Sequence, residues 1–531
     1  MSVTVPIIEW AGLIPVLIIL GAGVLGVLVE AFAPRGGRLQ VQAVLSAVAI
    51  LASGTAFVLR WSQVLPQDAG TGRIRPSGRV LAAGISEDPF GVAAQGIVLL
   101  IGLLAVLIMA DRTTAGDGAF AAQAADRPGS AEETESLHRG WTATEVFPLM
   151  LFSLAGMMLF PMVNDLIALF VVLELVSLPL YIMAATARHR RLLSQEAALK
   201  YFVLGAFASA FLLLGSAFLY GLSGSVSYTR VADALAVGGA IDVIDMDWLG
   251  LAGVALVTVG LLFKTAAVPF HAWSPDVYQG APTPVTGFMA AGVKAAAFLA
   301  LVRFYYLVGG AFGWEMAPFL WTVAVLTMMV GTVVGVVQGD VKRMLAYSAI
   351  AHAGYMLIGI ISLNQQGVAA LLVYCLAYGV ATVGAFGVVT LVRTGHDGAA
   401  GPEATDLDSF RGLGRRSPWL AAAMTVFLLS FAGVPLTFGF MAKFELFVAG
   451  VGGSAWLVVA AVVSSAATAF FYMRLILLMF FHEPRGETVI VVGSRGPTAA
   501  AIGTAAFLTV ALGVLPQAVL VVFGRAAMLM P

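Results

Sequence analysis

The chain has 531 residues, 60% of them hydrophobic and 11% charged, with a mean hydropathy of +0.96. That balance excludes a soluble globule and indicates a polytopic membrane protein. A formal net charge of −1 argues against a nucleic-acid partner, and one cysteine, Cys375 in an apolar run, leaves no disulfide, iron–sulfur or zinc framework.

No dinucleotide-binding glycine fingerprint and no P-loop occur, so neither a redox nor a nucleotide cofactor nor a metal is expected on this chain. The N-terminal flank MSVTVPIIEW holds Glu9 and no lysine or arginine, and a long apolar run follows. It reads as a true span rather than a cleavable signal.

Fourteen spans of bilayer length are predicted, at 7–32, 39–59, 88–110, 146–163, 165–186, 195–221, 248–270, 283–308, 315–337, 341–363, 366–392, 418–449, 454–481 and 497–523. Spans 4 and 5 are separated only by Asn164 and Asp165. The fold class is therefore all-α. Five segments are expected: a three-helix portion at 1–110, a loop at 111–144, helical units at 145–309 and 310–482, and a last helix within 483–531. The polar stretches 111–144 and 393–417, rich in Ala, Gly, Asp, Glu and Arg, read as flexible cytoplasmic loops.

Basic residues orient the chain. Odd-numbered loops carry sixteen, including Arg35, Arg38, Arg112, Arg127, Arg139, Arg188, Arg190, Arg191 and Arg485. The other side carries six: Arg60, Arg73, Arg75, Arg79, Arg230 and Arg525, with an acidic group of Asp233, Asp242, Asp245 and Asp247. Both termini are expected outside.

Several ionisable residues fall inside spans. Arg303 and Arg474 lie in the outer third of theirs, where long side chains snorkel to water. Glu174, Lys264, Lys294 and Lys443 lie near mid-span or beside a helix break. A charge there costs roughly 2.5–3.5 kcal/mol on insertion scales and marks ion or proton paths. For Lys200, His352 and His271 an anchoring, packing or carbonyl-capping role stands beside a role in proton transfer.

The segment LLFKTAAVPFHAWSPDVYQGAPTPVTGFMAAGVKAAAFLALVR (261–303) breaks two helices with Pro269, Pro275, Pro282 and Pro284 between Lys264 and Lys294. It has an echo. TAAVPF (265–270) in span 7 and SFAGVPLT (430–437) in span 12 both put Val-Pro in an apolar helix near a lysine, Lys264 and Lys443. An offset of five spans, an odd number, makes the helices run in opposite directions, the pattern of an inverted repeat over spans 4–8 and 9–13.

The run PFHAWSPDVYQGAPTPVTGFM (269–289) closely resembles the antiporter-like membrane subunits of respiratory complex I, NADH-quinone oxidoreductase, and shares its PFH-W-PD core with multi-subunit Na+/H+ antiporters. DVYQGAPTPV (276–285), LELVSLPLYI (173–182) and a chain that ends after span 14 without a long lateral helix point to the N type; GDVKRMLAYSAIAHAGY (339–355) also fits. The resemblance implies a proton-translocating subunit of the bacterial cell membrane, with M-type and K-type subunits as neighbours. Flavin, iron–sulfur clusters, NADH and quinone would belong to the parent complex. By position it implies proton-transfer roles for Glu174, Lys264, Lys294 and Lys443, with Lys200 and His352 as further matches.

The expected mechanism pairs Glu174 with Lys264. At ~5 Å and an effective dielectric of ~20 their attraction is roughly 3 kcal/mol, so a small helix movement would change how tightly Lys264 holds its proton. Lys294 would relay through water and Lys443 would be the terminal donor–acceptor. A cation/proton antiporter subunit and a scaffold with purely structural ion pairs are the other classes to separate.

Overall fold

The computed structural model describes residues 8–65, 78–82, 84–112, 118–123, 125–236, 247–396, 399–484 and 489–529. Arg73, Arg75, Asp242, Asp245 and Arg485 lie outside them.

In chain order the helices are α1 (Trp10–Phe32), α2 (Arg35–Val64), α3 (Pro89–Ala110), α4 (Ala131–His138), α5 (Val146–Leu159), α6 (Leu166–Ala184), α7 (Arg191–Ser223), α8 (Tyr228–Ala236), α9 (Asp247–Thr265) and α10 (Trp273–Gly280). There follow α11 (Thr283–Phe288), a π-helical turn at Met289–Val293, α12 (Lys294–Leu307), α13 (Gly313–Val336), α14 (Val341–Ile361), α15 (Gln365–Leu391), α16 (Leu413–Arg416), α17 (Pro418–Ala432), α18 (Phe438–Phe481), α19 (Pro497–Val514) and α20 (Gln517–Ala526).

Among the described residues twelve helices are long and apolar enough to cross a membrane. The two further expected spans are shorter apolar helices, 146–162 and 418–432. The 44-residue α18 holds both the second half of expected span 12 and span 13, with a kink at non-helical Ser454. Four helices start where Asp or Asn accepts a first-turn backbone N–H: Asp88 for α3, Asp165 for α6, Asp340 for α14 and Asn364 for α15. In lipid such caps matter because water cannot satisfy those donors. Asp165 is also what separates expected spans 4 and 5.

The stretch 283–307 with α14 and α15 forms an almost wholly buried inner layer, while α1, α2 and α18 present apolar side chains outward. Helices approach closely where a side chain is missing. A Cβ on Gly215 would lie 2.7 Å from Gly253 O, and one on Gly331 would lie 2.4 Å from Ala351 N, so α7 packs on α9 and α13 on α14 backbone to backbone.

Short strands depart from a purely helical plan. At one end β1 (Arg79–Ala82) pairs antiparallel with β2 (Ile85–Glu87). At the other, β3 (Val392–His396) pairs with both β4 (Ala399–Glu403) and β5 (Val489–Val491). Stretch 393–417, expected to be flexible, is thus held by backbone ladders and by Asp340–Asp406 pairing. Part of 111–144 is ordered as well, through Ala119 O accepting from Arg188 N and through α4.

Two ionic expectations are corrected. Arg60 is not a loop residue: α2 continues to Val64, and Arg60 is buried against Glu87 at 2.6 Å, with Arg79 on the same carboxylate at 2.9 Å. Arg303 does not snorkel. Its guanidinium is fully buried, bonds both oxygens of Asp88 at 2.7 Å and donates from Nε to Pro161 O. The cation reaches a carboxylate inside the bundle sooner than it reaches water, so pairing wins. Arg474 behaves as expected, exposed and bonded to the carbonyls of Val336 and Gln338.

Candidate functional site: a buried polar line

Two helix breaks organise the interior. After α9, Ala266 takes a left-handed conformation (φ 59°), Ala266 N bonds Phe263 O and Ala267 N bonds Leu262 O. After α17, Gly433 does the same (φ 81°), with Gly433 N on Ser430 O and Val434 N on Leu429 O. Both are Schellman closures, which end a helix and leave its last carbonyls free.

A lysine fills each vacancy. Lys294 Nζ donates to Thr265 O at 3.0 Å, the last carbonyl of α9, and to Ala349 O of α14 at 2.7 Å. Lys443 Nζ donates to Phe431 O at 2.7 Å and Ala432 O at 3.2 Å, the last carbonyls of α17, and to Ser465 Oγ at 2.7 Å. A cation at a helix C-terminus also complements the macrodipole. The sequence echo aligns Val268 with Val434 and sets Lys443 beside Lys264. The backbone closures instead align Ala267 with Val434, one residue away, and give Lys443 the same task as Lys294. The π turn just before Lys294 widens its helix there; such turns recur at functional sites.

Lys264, in the last turn of α9, is 2% exposed; Lys294 is 2%, His352 3% and Lys443 5% exposed. Lys264 Nζ donates to Tyr181 Oη at 3.2 Å and lies over the rings of Tyr181 and Tyr201. Glu174, half-buried on α6, accepts from Ser209 Oγ at 2.5 Å. Among the described residues Glu174 and Lys264 form no ion pair with each other, although the carboxylate's charge reaches both Lys264 and Tyr181. Tyr181 follows Glu174 by two helical turns on the same face of α6 and so stands toward Lys264.

His352 lies one turn beyond Ala349 on α14. Its ring contacts Tyr374 Oη at 2.6 Å and Tyr472 Oη at 3.3 Å, within a cage of Tyr355, Tyr378 and Phe431. Tyr355 underlies Lys443 at 5.1 Å and bonds Ser464, which bonds Thr332. Glu174, Lys264, Lys294, His352 and Lys443 thus each sit among hydroxyls or helix-end carbonyls in otherwise apolar packing. Arranged in this way, the groups can hold a proton at successive sites.

The remaining candidates stand apart. Lys200, half-exposed, pairs with Glu196 at 2.7 Å and Asp276 at 2.8 Å, and Asp276 also binds Arg343 at 2.8 Å. This ties α7 to α10. His271 sits half-buried in the first break, with Nδ1 lacking a partner among the described residues; Trp273 Nε1, not His271, caps Phe263 O at 2.9 Å. Such surface pairs contribute about 0–1 kcal/mol. Lys200→Gln is therefore expected to leave the thermal midpoint of the purified protein nearly unchanged and any proton translocation through it within about twofold; a collapse of translocation with normal folding would place Lys200 in the path.

The sequence reading omits Tyr181, Tyr355, Tyr374, Tyr472, Ser464 and Ser465. Tyrosine and serine in an apolar helix look like ordinary packing until several helices bring them together. Among the described residues no cluster of His, Cys, Asp and Glu could hold a metal ion.

Residues 163–468 match the family described as NADH:quinone oxidoreductase/Mrp antiporter, TM. The chain is similar to NADH-quinone oxidoreductase subunit N of Beutenbergia cavernae, 50% identical over 99% of each chain, and to that of Rhodococcus opacus, 48% identical over 99% of this chain and 97% of the relative. Among solved structures it is similar to a chain of respiratory complex I from Thermus thermophilus with bound aureothin, at 32% identity, TM-score 0.73, covering 95% of this chain and 98% of that one. A chain of the Mrp complex from Dietzia superposes with TM-score 0.76 over 98% and 97% of the two chains, but at 20% identity that likeness is one of fold.

Proposed function

The chain belongs to the subunit N family of proton-pumping NADH:quinone oxidoreductase, and from that premise we propose that its protons move along the line Glu174, Lys264, Lys294, His352 and Lys443. As a membrane-arm subunit it forms part of an enzyme that couples quinone reduction to proton translocation.

The observation that carries the site assignment is that these buried ionisable groups cluster at the two helix breaks, each within reach of the next one's charge or of a shared helix-end carbonyl. Lys264 and Lys294 meet at the broken end of α9, since Lys294 holds the carbonyl of the residue after Lys264. His352 sits within electrostatic reach of both Lys294 and Lys443. In this reading Glu174 and Tyr181 set the charge balance at Lys264, Lys294 is the central relay, and Lys443 is the terminal donor–acceptor. Moving a charge against 100 mV takes about 2.3 kcal/mol, and doubling one buried charge–charge distance from ~5 Å at an effective dielectric of ~20 changes their attraction by roughly 1.7 kcal/mol, a comparable scale.

The finer reading has four further parts. Segments 145–309 and 310–482 are two related halves of opposite orientation, flanked by 1–110 and 483–531, and the matched Schellman breaks support that division. The arginine-rich end, where 111–144 and 393–417 lie, is cytoplasmic, with both termini outside in a bacterial cell membrane. M-type and K-type subunits are the neighbours. Flavin, iron–sulfur clusters and the NADH and quinone sites belong to those other subunits.

Glu174→Ala and Lys264→Ala are each expected to depress NADH-driven acidification of membrane vesicles by on the order of tenfold, one missing interaction of about 1.4 kcal/mol sufficing. Assembly is checked by recovering the intact complex. Full pumping by both assembled variants would refute the assignment.

A further inference from the structure

The ordered part of 111–144 has no place in the proton line, yet with the α1–α2 turn it borders an open cleft of about 540 Å³. Arg35, Arg38, Arg112 and Arg139 line it together with Trp141. The guanidinium carbons of Arg35 and Arg139 lie 4.1 and 5.1 Å from the Trp141 ring, so the indole holds two cations at its surface. Arg38 is anchored on Ala33 O at 2.7 Å and approaches Glu30 at 3.4 Å. Arg112, half-buried, has no hydrogen bond or ion pair with another described residue. Glu30 and Glu145 are the acids of the lining and Glu135, one turn before Arg139, pairs with it, so the four arginines outnumber the nearby carboxylates by one.

A second observation agrees. Helix α2 begins at Arg35 with no side-chain cap and no acid in its first turn. Two arginines therefore sit at the positive pole of a 30-residue helix, where like charge is unfavourable and an anion is welcome. The helices beneath the cleft are greasy on the outside: Leu25, Leu28 and Phe32 of α1 and Val41 and Val44 of α2 are exposed. A ligand with an anionic phosphate head and apolar chains satisfies both halves of this surface.

We propose that this cleft binds the phosphodiester headgroup of an anionic phospholipid, with Arg35, Arg112 and Arg139 on the phosphate and the acyl chains along α1 and α2. Cationic pockets at the cytoplasmic membrane surface bind such headgroups, each basic residue contributing roughly fivefold in affinity. The bound lipid then fastens the 118–145 segment to the first helix pair. Binding rests on the membrane orientation above but not on the proton path, and it is read without any pumping assay.

The test uses the intact purified complex in phosphatidylcholine vesicles doped with photoreactive phosphatidylglycerol, or with photoreactive phosphatidylcholine of the same chains. Labelled peptides are mapped by mass spectrometry. The phosphatidylglycerol probe is expected to label the 30–39 turn and the 139–145 peptide selectively. Arg35→Gln with Arg139→Gln should lower that labelling on the order of twentyfold, and the paired lysine variants should keep most of it. Both arginines are exposed, so the variants should assemble. Glu145→Gln, which removes an acid from the cleft, should raise labelling. Equal labelling by both probes would overturn the proposal, as would indifference to these substitutions. Displacement by millimolar inorganic phosphate would identify a free-anion site. Absence of labelling in the complex, with labelling of the isolated full chain, would mean that a neighbouring subunit fills the cleft.

Discussion

Lys294→Arg is expected to yield an assembled complex that oxidises NADH with a soluble acceptor but acidifies vesicles on the order of a hundredfold more slowly through this subunit. Arginine keeps a cation and several donors, so the carbonyls of Thr265 and Ala349 stay capped. It does not give up its proton under protein conditions, so a relay through that position stops. Without a usable site, a charge crossing this part of the bilayer meets roughly 2.5–3.5 kcal/mol, and each 1.4 kcal/mol is a factor of ten in rate. The substitution separates the two roles that the geometry allows. A lysine needed only to close the end of α9 would be replaced without loss of pumping, and normal acidification by the arginine variant would establish that structural role.

Arg303→Met is expected to remove most of the assembled subunit from the membrane. The substitution takes away the bidentate partner of Asp88 in a fully buried setting and frees Pro161 O. Breaking a buried pair from one side costs about 3–5 kcal/mol because the remaining charge stays desolvated. That is a large share of the 5–15 kcal/mol typical of a folded domain. Asp88 also caps α3 through Gly91 N, so the compensating change is Asp88→Asn, which keeps the cap and drops the charge. The double variant Arg303→Met with Asp88→Asn should recover much of the wild-type subunit level on immunoblots of membranes. Equal depletion in single and double variants would show that packing of the arginine stem, not its charge, is what counts.

These two residues also mark how far the sequence can be read. Lys294 is visible as a candidate because hydrocarbon makes any mid-span lysine costly, whatever its neighbours. Arg303 has the same composition signal, but its position in the outer third of a span is compatible with water or with a carboxylate. The choice depends on Asp88, 215 residues away in sequence. Arg60 is similar: its pairing with Glu87 is invisible from a local count of basic residues, which places it in a loop. Glu174 and Lys264 are legible as individual groups. That Lys264 bonds the Tyr181 phenol and Glu174 bonds Ser209, rather than each other, follows from how α6, α7 and α9 cross.

Apolar spans, helix breaks and the mid-span residues Glu174, Lys264, Lys294 and Lys443 were determined by local composition: apolar runs of bilayer length, prolines that cannot continue a helix, and charges expensive enough to stand out. The kink at Ser454 that divides α18, the strand pairing of 392–396 with 399–403, and the matching of Lys443 with Lys294 as caps of broken helices were decided only by tertiary packing. The physical reason is that each depends on which polar group is nearest once water is gone, and in a bundle the nearest group comes from another helix far along the chain.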